Sequence, residues 1–527
     1  MNTKILSATE SKVAAGILSS GGLVAIPTET VYGLAANALD PVAVKNIYIA
    51  KGRPSDNPLI VHISSIEEWR PLVTEIPDKA LKLANAFWPG PLTIILPKSN
   101  IIPPETSGGL DTVAVRMPSN PIARKIIAES GVPLAAPSAN VSGLPSPTAF
   151  EHVFDDMNGK IDAIVDGGEC AVGVESTVIT LATDVPRILR PGGITAEQIR
   201  SVIGEVQIDD AVLNPLKKGE KAASPGMMYK HYSPKAEITV VKGSLDEFMS
   251  YVKRHTDEAT AVLCFENEEE KFTCPCVTMG MENDGLSQAG RLFNALRELD
   301  EIGARTVYSR SPSQDGVGLA VCNRLYRAAG FRIVKAVPVI GLTGKTGAGK
   351  STIGKILREK GCEIIDCDQI SRDITNPGSP VLAELAKEFG DDVVVGGVLN
   401  RQKLADRAFR DDESTARLNA ITHPAIFKEI YSQIARAKSS LTPAVLDAPL
   451  LFEGGLEKLC DFTVSVLADE EVRLERIMKR DSISPEQAKM RMDRQKLDDE
   501  FYRSHSTYIV VNNNDDSYLI DTEKIPV

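Results

Sequence analysis

Residues 344–351 read Gly-Lys-Thr-Gly-Ala-Gly-Lys-Ser, which fits the pattern G-x-x-x-x-G-K-[ST] in full. The apolar run Val339–Leu342 precedes this stretch and predicts a strand, and Thr352–Glu359 follows it with a helical pattern. Glycines let main-chain N–H groups approach phosphate oxygens, and the N-terminus of the following helix adds its dipole. The sequence therefore predicts a phosphate-binding loop between a strand and a helix.

The residue types in and after this loop predict ATP as its ligand. Lys350 would reach the outer phosphates, and the Ser351 hydroxyl would hold Mg²⁺. Asp366 and Asp368 follow the next apolar run, and the two-residue period of a strand would place both on one face. One of them could accept a proton from an attacking hydroxyl. The alternatives are support of the water shell of Mg²⁺, or capping of a helix by Asp368.

Three arginines further along the chain share a helical face. Arg473, Arg476 and Arg480 have the spacing i, i+3 and i+7. Such a face could close over phosphates. Charge alone favours a solvated face, because Glu470, Glu471 and Glu475 would balance the arginines.

The rest of the 527-residue chain also alternates strand and helix patterns, which predicts a multidomain α/β protein. In the first 205 residues, Asp40 and Pro41 predict the capped start of a helix over Pro41–Ala50. Residues 206–235 lack apolar periodicity and predict a linker, whose end is rich in aromatic side chains. Residues 236–337 predict a small α/β domain, and residues 338–527 contain the phosphate loop.

Composition excludes several classes of protein. The net charge is −12, and the three segments 1–200, 201–337 and 338–527 carry −4, −2 and −6, so a general nucleic-acid or anionic-membrane surface is not expected. No apolar run is long enough to span a bilayer, and the N-terminus does not read as a secretory signal. The eight cysteines are scattered and predict reduced thiols in the cytoplasm rather than a zinc site.

Basic and small polar residues in the first 205 positions leave two readings open. Lys51 and Arg53 follow a predicted helix, and Ser138 and Asn140 lie in a Pro- and Gly-bounded stretch. Together with distant arginines they could bind a polyanionic nucleotide. They could equally be separate surface residues and turns.

Resemblance to known families makes the predicted function more specific, both for the part with the phosphate loop and for the part before it. Residues 338–527 resemble dephospho-CoA kinases. The resemblance is carried by Gly341–Thr352, Ile365–Asp368, Leu399–Arg401, His423–Pro424, Asp447–Glu453, Arg476, Arg480, Arg494 and Gln495. Lys345 and Thr346 depart from the loop typical of the family. A shikimate-type kinase would share the loop but would not explain His423–Pro424 or Asp447–Glu453.

The kinase resemblance implies transfer of the γ-phosphate of ATP to the ribose 3′-hydroxyl of dephospho-CoA. It implies that Asp368 is the base, that Lys350 stabilises the transferring phosphoryl group, and that Arg480 belongs to a lid. It assigns ATP to the loop residues Gly347, Ala348, Gly349, Lys350, Ser351 and Thr352.

Residues 20–195 resemble YrdC-type threonylcarbamoyl-AMP synthases, and residues 222–337 resemble the extra C-terminal domain of the two-domain members, with a Rossmann-like fold expected. The matching segments are Pro27–Leu34, Lys51–Pro54, Asn57–Leu59, Trp88–Thr93, Val115–Pro118, Ala136–Gly143, Gly173–Thr177, Arg190–Gly192, Ser224–Pro234, Gly316–Ala320 and Asn323–Leu325.

This resemblance implies that L-threonine, bicarbonate and ATP give threonylcarbamoyl-adenylate and diphosphate, for modification of tRNA by transfer proteins. Two anions must meet, so cationic groups and Mg²⁺ are required, and Lys51 and Arg53 are the expected catalytic pair. Threonine is expected at Thr30, His62, Arg116 and Ser176. ATP is expected at Arg53, Asn57, Thr112, Ser138, Asn140, Ser146, Arg190 and Tyr232.

Three alternatives to this two-enzyme reading remain. The first domain could bind double-stranded RNA beside a small-molecule kinase, but the net charge of the first 200 residues opposes this. A carbamoyl transferase for metallocentre maturation would need zinc-finger and acylphosphatase parts, which the sequence lacks. A nucleotide switch would need a guanine-reading Asn-Lys-x-Asp segment, which is also lacking.

Overall fold

The computed structural model describes residues 2–215, 232–493, 495–513 and 516–527. The chain divides into two compact units, Met1–Lys242 with Val252–Ile333, and Gly243–Tyr251 with Val334–Val527. Most of the predicted linker, together with Arg494, lies outside the described residues. No helix in the described part of the chain has the length and apolar character needed to cross a bilayer.

The first unit begins with a mixed sheet. Its strands are β1 (Lys4–Ser7), β2 (Val24–Ile26), β3 (Gly33–Asn37), β4 (Ile60–His62), β5 (Leu92–Pro97), β6 (Thr112–Arg116), β7 (Leu134–Ala135), β8 (Ala163–Asp166), β9 (Thr177–Thr180), β10 (Arg187–Arg190) and β11 (Gln207–Ile208). Its helices are α1 (Ser11–Ser19), α2 (Pro41–Lys51), α3 (Asp78–Phe87), α4 (Pro104–Ser107), α5 (Pro121–Ser130), α6 (Phe150–Met157) and α7 (Ala196–Ile203). The strand order is β1-β8-β2-β3-β7-β4-β6-β5-β9-β10-β11.

Helix α2 begins and ends where its sequence indicates. The Asp40 carboxylate accepts a hydrogen bond from the Val42 amide at 2.8 Å, and Pro41 occupies the first helical position. Gly52 ends the helix in the left-handed conformation, with a φ of 62°. Lys51 therefore lies at the carboxyl end of α2, where it reaches the loop that follows β7.

The first unit continues with a smaller sheet that follows the predicted linker. Its strands are β12 (Glu237–Lys242), β13 (Thr260–Cys264), β14 (Cys276–Thr278), β15 (Thr306–Arg310) and β16 (Ile333–Lys335), in the order β14-β13-β15-β12-β16. The accompanying helices are α8 (Leu245–His255), α9 (Gly285–Glu301) and α10 (Gly318–Ala328). Residues 245–251 of α8 and 334–335 of β16 are grouped with the second unit. β12, β13, β14 and β15 pair in parallel, as expected for a Rossmann-like sheet. We call β12–β15 with α9 and α10 the small domain.

The second unit contains a parallel sheet with helices around it. The strands of this unit are β17 (Val339–Gly344), β18 (Glu363–Asp366), β19 (Val394–Val395), β20 (Val398–Leu399), β21 (Ala444–Asp447), β22 (Phe462–Leu467) and β23 (Tyr508–Val511). β19 and β20 form a separate two-stranded antiparallel sheet. The helices of this unit are α11 (Lys350–Glu359), α12 (Cys367–Asp373), α13 (Val381–Phe389), α14 (Arg401–Ala408), α15 (Asp412–Ser439), α16 (Glu470–Asp481), α17 (Pro485–Asp493), α18 (Asp499–His505) and α19 (Ser517–Glu523).

The order β18-β21-β17-β22-β23 places β17 in the middle of this sheet. Its pairs with β21 and β22 are parallel, so the carboxyl ends of all three strands meet at one edge. The loop that follows β17 therefore lies beside Asp447, the last residue of β21. The multidomain α/β fold expected from the sequence is confirmed.

The prediction for the two carboxylates after β18 is wrong in one respect. Asp366 is the last residue of β18, and its carboxylate accepts a hydrogen bond from the Gln369 amide at 2.9 Å. This bond caps α12, so the strand ends there and Asp368 lies in the first turn of the helix. The two side chains therefore do not share a strand face.

Candidate active sites

A cavity with about 740 Å³ of empty volume lies in the first unit. It collects side chains from seven separated segments of the sequence, around residues 28–33, 51–62, 116, 136–144, 175–176, 190 and 232. The predicted residues that line it are Thr30, Lys51, Arg53, His62, Arg116, Ser138, Asn140, Ser176, Arg190 and Tyr232. The structure thus brings together most of the residues that the sequence assigned to this site.

Lys51 contacts the loop after β7. Its side chain is 2% exposed, and Nζ donates hydrogen bonds to the main-chain oxygens of Ser138 and Asn140, both at 2.5 Å. Burial, with a smaller effect of nearby Arg53, holds the pKa of Lys51 well below its usual range. Lys51 therefore fixes the position of the Ser138–Asn140 segment against α2.

Two other cations of this cavity are also held by carbonyl groups. Nη2 of Arg53 donates to the main-chain oxygen of Pro58 at 3.1 Å. Arg190 lies at the end of β10, where Nε donates to the main-chain oxygen of Ser176 and Nη2 to its hydroxyl, each at 3.1 Å. Burial lowers the pKa of Arg190 to about 10, opposed by the Glu175 carboxylate. These neutral partners leave positive charge in the cavity wall.

Arg116, at the end of β6, forms a second cluster of polar side chains with Glu29 and Thr30. Its Nη2 lies 2.7 Å from the Glu29 carboxylate, and its Nη1 donates to the Thr30 hydroxyl at 2.9 Å. His62 lies at the end of the neighbouring strand β4, and its ring Nδ1 is 3.1 Å from the Ile60 oxygen. Burial and the Arg116 charge lower the pKa of His62 to about 3, so its imidazole is neutral at pH 7.

Tyr232 closes one side of the cavity. It is 6% exposed and has a φ of 64°, and its ring centroid lies 5.2 Å from that of Phe293 in α9. Burial raises the pKa of the Tyr232 hydroxyl. Tyr232 thus packs between α9 of the small domain and the cavity.

Three predicted residues, Asn57, Thr112 and Ser146, are not part of the cavity lining. Ser146 is fully buried and donates to the Glu175 carboxylate at 2.6 Å. Thr112 begins β6 opposite Pro97. The Asn57 side chain is buried, and its amide atoms have no hydrogen-bond partner among the described residues.

Sequence reasoning missed Glu175, Thr28 and Ser142, which also line the cavity. All three lie inside or beside the motifs that carry the family resemblance, so their closeness in sequence to predicted site residues could have identified them. Burial alone would raise the pKa of Glu175, but Arg324 and Arg190 hold it at about 2.

A second cavity, with about 1700 Å³ of empty volume, surrounds the loop after β17. The predicted residues that line it are Gly347, Gly349, Lys350, Ser351, Thr352, Asp368 and Arg480. Gly349 begins α11 with a φ of 92°, which suits glycine. Ala348 is fully buried in the core below the loop, so its side chain packs with Ile340 and Leu342.

Charged groups meet in this second cavity at the carboxyl edge of the sheet. Lys350 forms an ion pair with Asp447 at the end of β21. Burial raises the pKa of Asp368, opposed by the Lys350 charge. Asn512, Asp516 and Tyr518 also line the cavity, and the motifs quoted from the sequence gave no role to them.

The solvated arginine face favoured by charge alone is wrong for the first two arginines of α16. Arg473 is 5% exposed and donates to the main-chain oxygen of Thr346 at 2.9 Å. Arg476 donates to the main-chain oxygens of Gly347 and Ala348 at 3.3 and 3.2 Å. Arg480 borders the cavity and pairs with Asp481 of its own helix. Arg473 and Arg476 thus donate to carbonyls of the loop, and Arg476 also donates to the Asn512 side chain at 3.0 Å.

The parallel sheet, the loop after its central strand and the arginine helix define a P-loop kinase fold in the second unit. The first unit has a different fold and contains the cavity lined by cations. Residues 16–192 match the Sua5, YciO and YrdC family, described as "Telomere recombination". Residues 194–330 match "Threonylcarbamoyl-AMP synthase, C-terminal domain", and residues 338–517 match "Dephospho-CoA kinase".

Individual relatives agree with these matches. The threonylcarbamoyl-AMP synthase of Pyrococcus abyssi is 50% identical over 331 residues, covering 62% of this chain and 95% of the relative. The dephospho-CoA kinase of Syntrophotalea carbinolica is 42% identical over 178 residues, covering 33% of this chain and 83% of the relative. The crystal structure of P. abyssi Sua5 complexed with L-threonine superposes with a TM-score of 0.59 at 46% identity, covering 64% of this chain and 99% of that one. The chain therefore belongs to the threonylcarbamoyl-AMP synthase family and, over residues 338–517, to the dephospho-CoA kinase family.

Proposed function

We propose that this chain is a bifunctional enzyme with one ATP site in each cavity. The first site forms threonylcarbamoyl-adenylate and diphosphate from L-threonine, bicarbonate and ATP. The second transfers the γ-phosphate of ATP to the 3′-hydroxyl of dephospho-CoA. The observation that carries the first half is the convergence of Lys51, Arg53, Ser138 and Asn140 in one cavity. The second half rests on the phosphate loop with Asp368 and Asp447 beside it. We assign the synthase to residues 1–337 and the kinase to residues 338–527.

In the first cavity, threonine occupies the end formed by β4 and β6. The Arg116 guanidinium binds its carboxylate, and Thr30 and Ser176 offer hydroxyl partners. Neutral His62 adds a polar wall without repelling the ammonium group. After the threonine ammonium loses a proton, its nitrogen bonds to the carbon of CO₂ and releases a second proton, or bonds to the carbon of bicarbonate and releases water. One oxygen of the resulting carbamate becomes the nucleophile.

ATP occupies the rest of the cavity, where Arg53 and Arg190 in the lining bind its phosphates. The carbamate oxygen attacks the α-phosphorus, the P–O bond to the outer phosphates breaks, and diphosphate leaves. Both reactants are anions, so the arginines lower the barrier by stabilising the charge that concentrates between them. Asn57, Ser138 and Asn140 supply uncharged polar partners, Ser146 and Thr112 support the wall, and Tyr232 covers the nucleotide.

Lys51 contributes to this reaction through the loop it holds. Its ammonium group already donates to two carbonyl oxygens, so it positions Ser138 and Asn140 for ATP. This assignment differs from a direct phosphate contact, and the two roles predict different effects of substitution.

In the second cavity, Lys350 exchanges its contact with Asp447 for the outer phosphates of ATP. Main-chain N–H groups of residues 347–352 receive the phosphate oxygens at the start of α11. Asp368 accepts the proton of the 3′-hydroxyl of dephospho-CoA, and its raised pKa suits a base. Arg480 stabilises the transferring phosphoryl group from the edge of the cavity.

The oxygen donors of the second cavity fit Mg²⁺. The Ser351 hydroxyl and the Asp447 carboxylate line it together, and Mg²⁺ is usually bound by one or two protein oxygens with substrate phosphates and water. Bound Mg²⁺ would neutralise phosphate charge in both reactions.

We place the enzyme in the cytoplasm, where the adenylate is handed to transfer proteins that modify tRNA. An RNA-binding first domain is not favoured, because the relatives matched there are named synthases and the first 200 residues carry a net charge of −4.

The test supplies purified full-length chain and Mg²⁺–ATP with threonine plus bicarbonate in one tube and dephospho-CoA in another, and identifies products by mass. An AMP-linked threonine product with diphosphate in the first tube, and CoA with ADP in the second, are the expected results. Absence of either product set from an otherwise folded protein contradicts that half of the proposal. Omission of bicarbonate or Mg²⁺ tests each requirement in the same assay.

A further inference from the structure

The segment of residues 173–177 in the first cavity is held in place by the small domain. Gly173 has a φ of 79°, and a Cβ there would lie 2.5 Å from the main-chain oxygen of Ala289 in α9. Val174 is fully buried in the same apolar cluster as the residues of α9 and α10. The positions of Glu175 and Ser176 therefore depend on packing against the small domain.

Arg324 in α10 extends this contact into a network of hydrogen bonds. Its side chain is fully buried, and Nε donates to the Glu175 carboxylate at 2.9 Å. Nη2 donates to the main-chain oxygen of Glu175 at 3.2 Å, and Nη1 donates to the main-chain oxygen of Pro191. One guanidinium group thus fixes the carboxylate, its backbone and the residue that follows Arg190.

Glu175 lies between two arginines in the wall of the cavity. Its second carboxylate oxygen accepts a hydrogen bond from Ser146, and its charge also interacts with Arg190. Arg190 is instead bonded to both oxygens of Ser176. An ionised carboxylate that lost Arg324 would be buried without its hydrogen-bonded counter-ion, and Arg190, whose charge already lowers the pKa of Glu175, is a nearby cation that could replace it.

We propose that Arg324 is a positioning residue of the synthase site, contributed by the small domain. As the buried counter-ion of Glu175, it keeps that carboxylate from drawing Arg190 away from the phosphates of bound ATP. This inference rests on the proposed synthase function. It makes the small domain part of the ATP site through a side chain that does not line the cavity.

The test compares Arg324→Met, Arg324→Lys, Glu175→Gln and the double variant Arg324→Met/Glu175→Gln in the full-length chain. The assay measures diphosphate release that depends on threonine and bicarbonate. We expect Arg324→Met to raise the KM for ATP by about tenfold or more, with a smaller change in kcat, because a buried charge is left unpaired. Arg324→Lys should recover part of this loss, since it restores the charge without the three-way fork.

The double variant separates positioning from plain structural support. A neutral residue 175 no longer attracts Arg190, so Arg324→Met/Glu175→Gln should have a lower KM for ATP than Arg324→Met alone. The matched control is Arg291→Met, because Arg291 pairs with Glu298 inside α9 of the same small domain. It should leave the KM unchanged.

Results that would overturn the role of Arg324 differ from the result that would refute the synthase function. An unchanged KM for ATP in folded Arg324→Met, or a double variant no better than Arg324→Met, overturns the inference while the wild-type reaction stands. If Arg324→Met does not fold, the same comparison is made between Arg324→Lys and Arg324→Lys/Glu175→Gln, and equal KM values there overturn it. A wild-type chain without threonine-dependent diphosphate release instead refutes the proposed synthase function.

Discussion

The ammonium group of Lys51 donates a hydrogen bond to the main-chain oxygen of Asn140, 89 residues later in the sequence, at 2.5 Å. The same nitrogen contacts the main-chain oxygen of Ser138. The Lys51 side chain therefore links two motifs of the synthase site, because its ammonium group holds the backbone of Ser138 and Asn140 in place.

Substitution of Lys51 by Met is expected to destabilise the synthase portion and abolish adenylate formation. Each buried carbonyl left without a donor costs about 1–3 kcal/mol. Trp69 and Trp88, the two tryptophans of the chain, both lie in the core of the first sheet, so denaturant unfolding followed by tryptophan fluorescence reports on this portion. Lys45→Met is the control, because Lys45 lies on the same helix with its side chain 61% exposed. A Lys51→Met chain of normal stability with only a raised KM for ATP would favour a direct phosphate contact.

The two activities are expected to be separable. Lys350→Ala should lower CoA formation by about 100-fold or more, because it removes the cation of the phosphate loop. Adenylate synthesis, measured as diphosphate release by the same preparation, should stay near the wild-type rate. Loss of both activities in a folded protein would contradict independence.

Asp366 and Asp368 are expected to respond differently to substitution. Asp368→Asn should reduce kcat for CoA formation by about 10²–10⁴-fold with a smaller effect on the KM for dephospho-CoA, as for loss of a general base. Asp366→Ala should instead cost about 1 kcal/mol of stability, because Asp366 caps α12. Steady-state kinetics and thermal unfolding of both variants check this. Equal losses of kcat would contradict the assignment of Asp368 as the base.

His62 is expected to make the synthase portion less stable in mild acid. The ordinary pKa of 6.5 applies in the unfolded chain, whereas burial and Arg116 lower the pKa to about 3 in the fold. Between these values the unfolded state binds a proton that the folded state does not, so stability falls as the pH drops below 6.5. Tryptophan fluorescence unfolding at several pH values should show a shallower decline for His62→Gln than for wild type.

A second consequence concerns the reaction itself. Since the imidazole stays neutral, the KM for threonine should not change near pH 6.5 because of His62. Wild type and His62→Gln should therefore have pH profiles of the same shape in this range. A change in KM near pH 6.5 that His62→Gln removes would mean that His62 titrates at its ordinary pKa.

Several elements of the fold could be predicted from local patterns in the sequence. The strand, glycine loop and helix of residues 339–359 are encoded by neighbouring residues, and so is the cap of α2 by Asp40. The pair Asp366 and Asp368 was predicted less well, because the Asp366 side chain caps α12 at the Gln369 amide and the strand ends at Asp366, two residues before the periodicity suggested. Charge balance failed for Arg473 and Arg476, because it counts only residues close in sequence and their partners are loop carbonyls more than 120 positions away.

The sequence by itself determined the α/β class, the phosphate loop and membership of two enzyme families, since each depends on short contiguous motifs. Only the tertiary structure decided that Lys51 clamps a loop, that Asp447 meets Lys350, and that Arg324 is paired with Glu175 across 149 residues. The physical reason is that these contacts join distant segments, whose approach is set by strand order and domain packing rather than by local sequence.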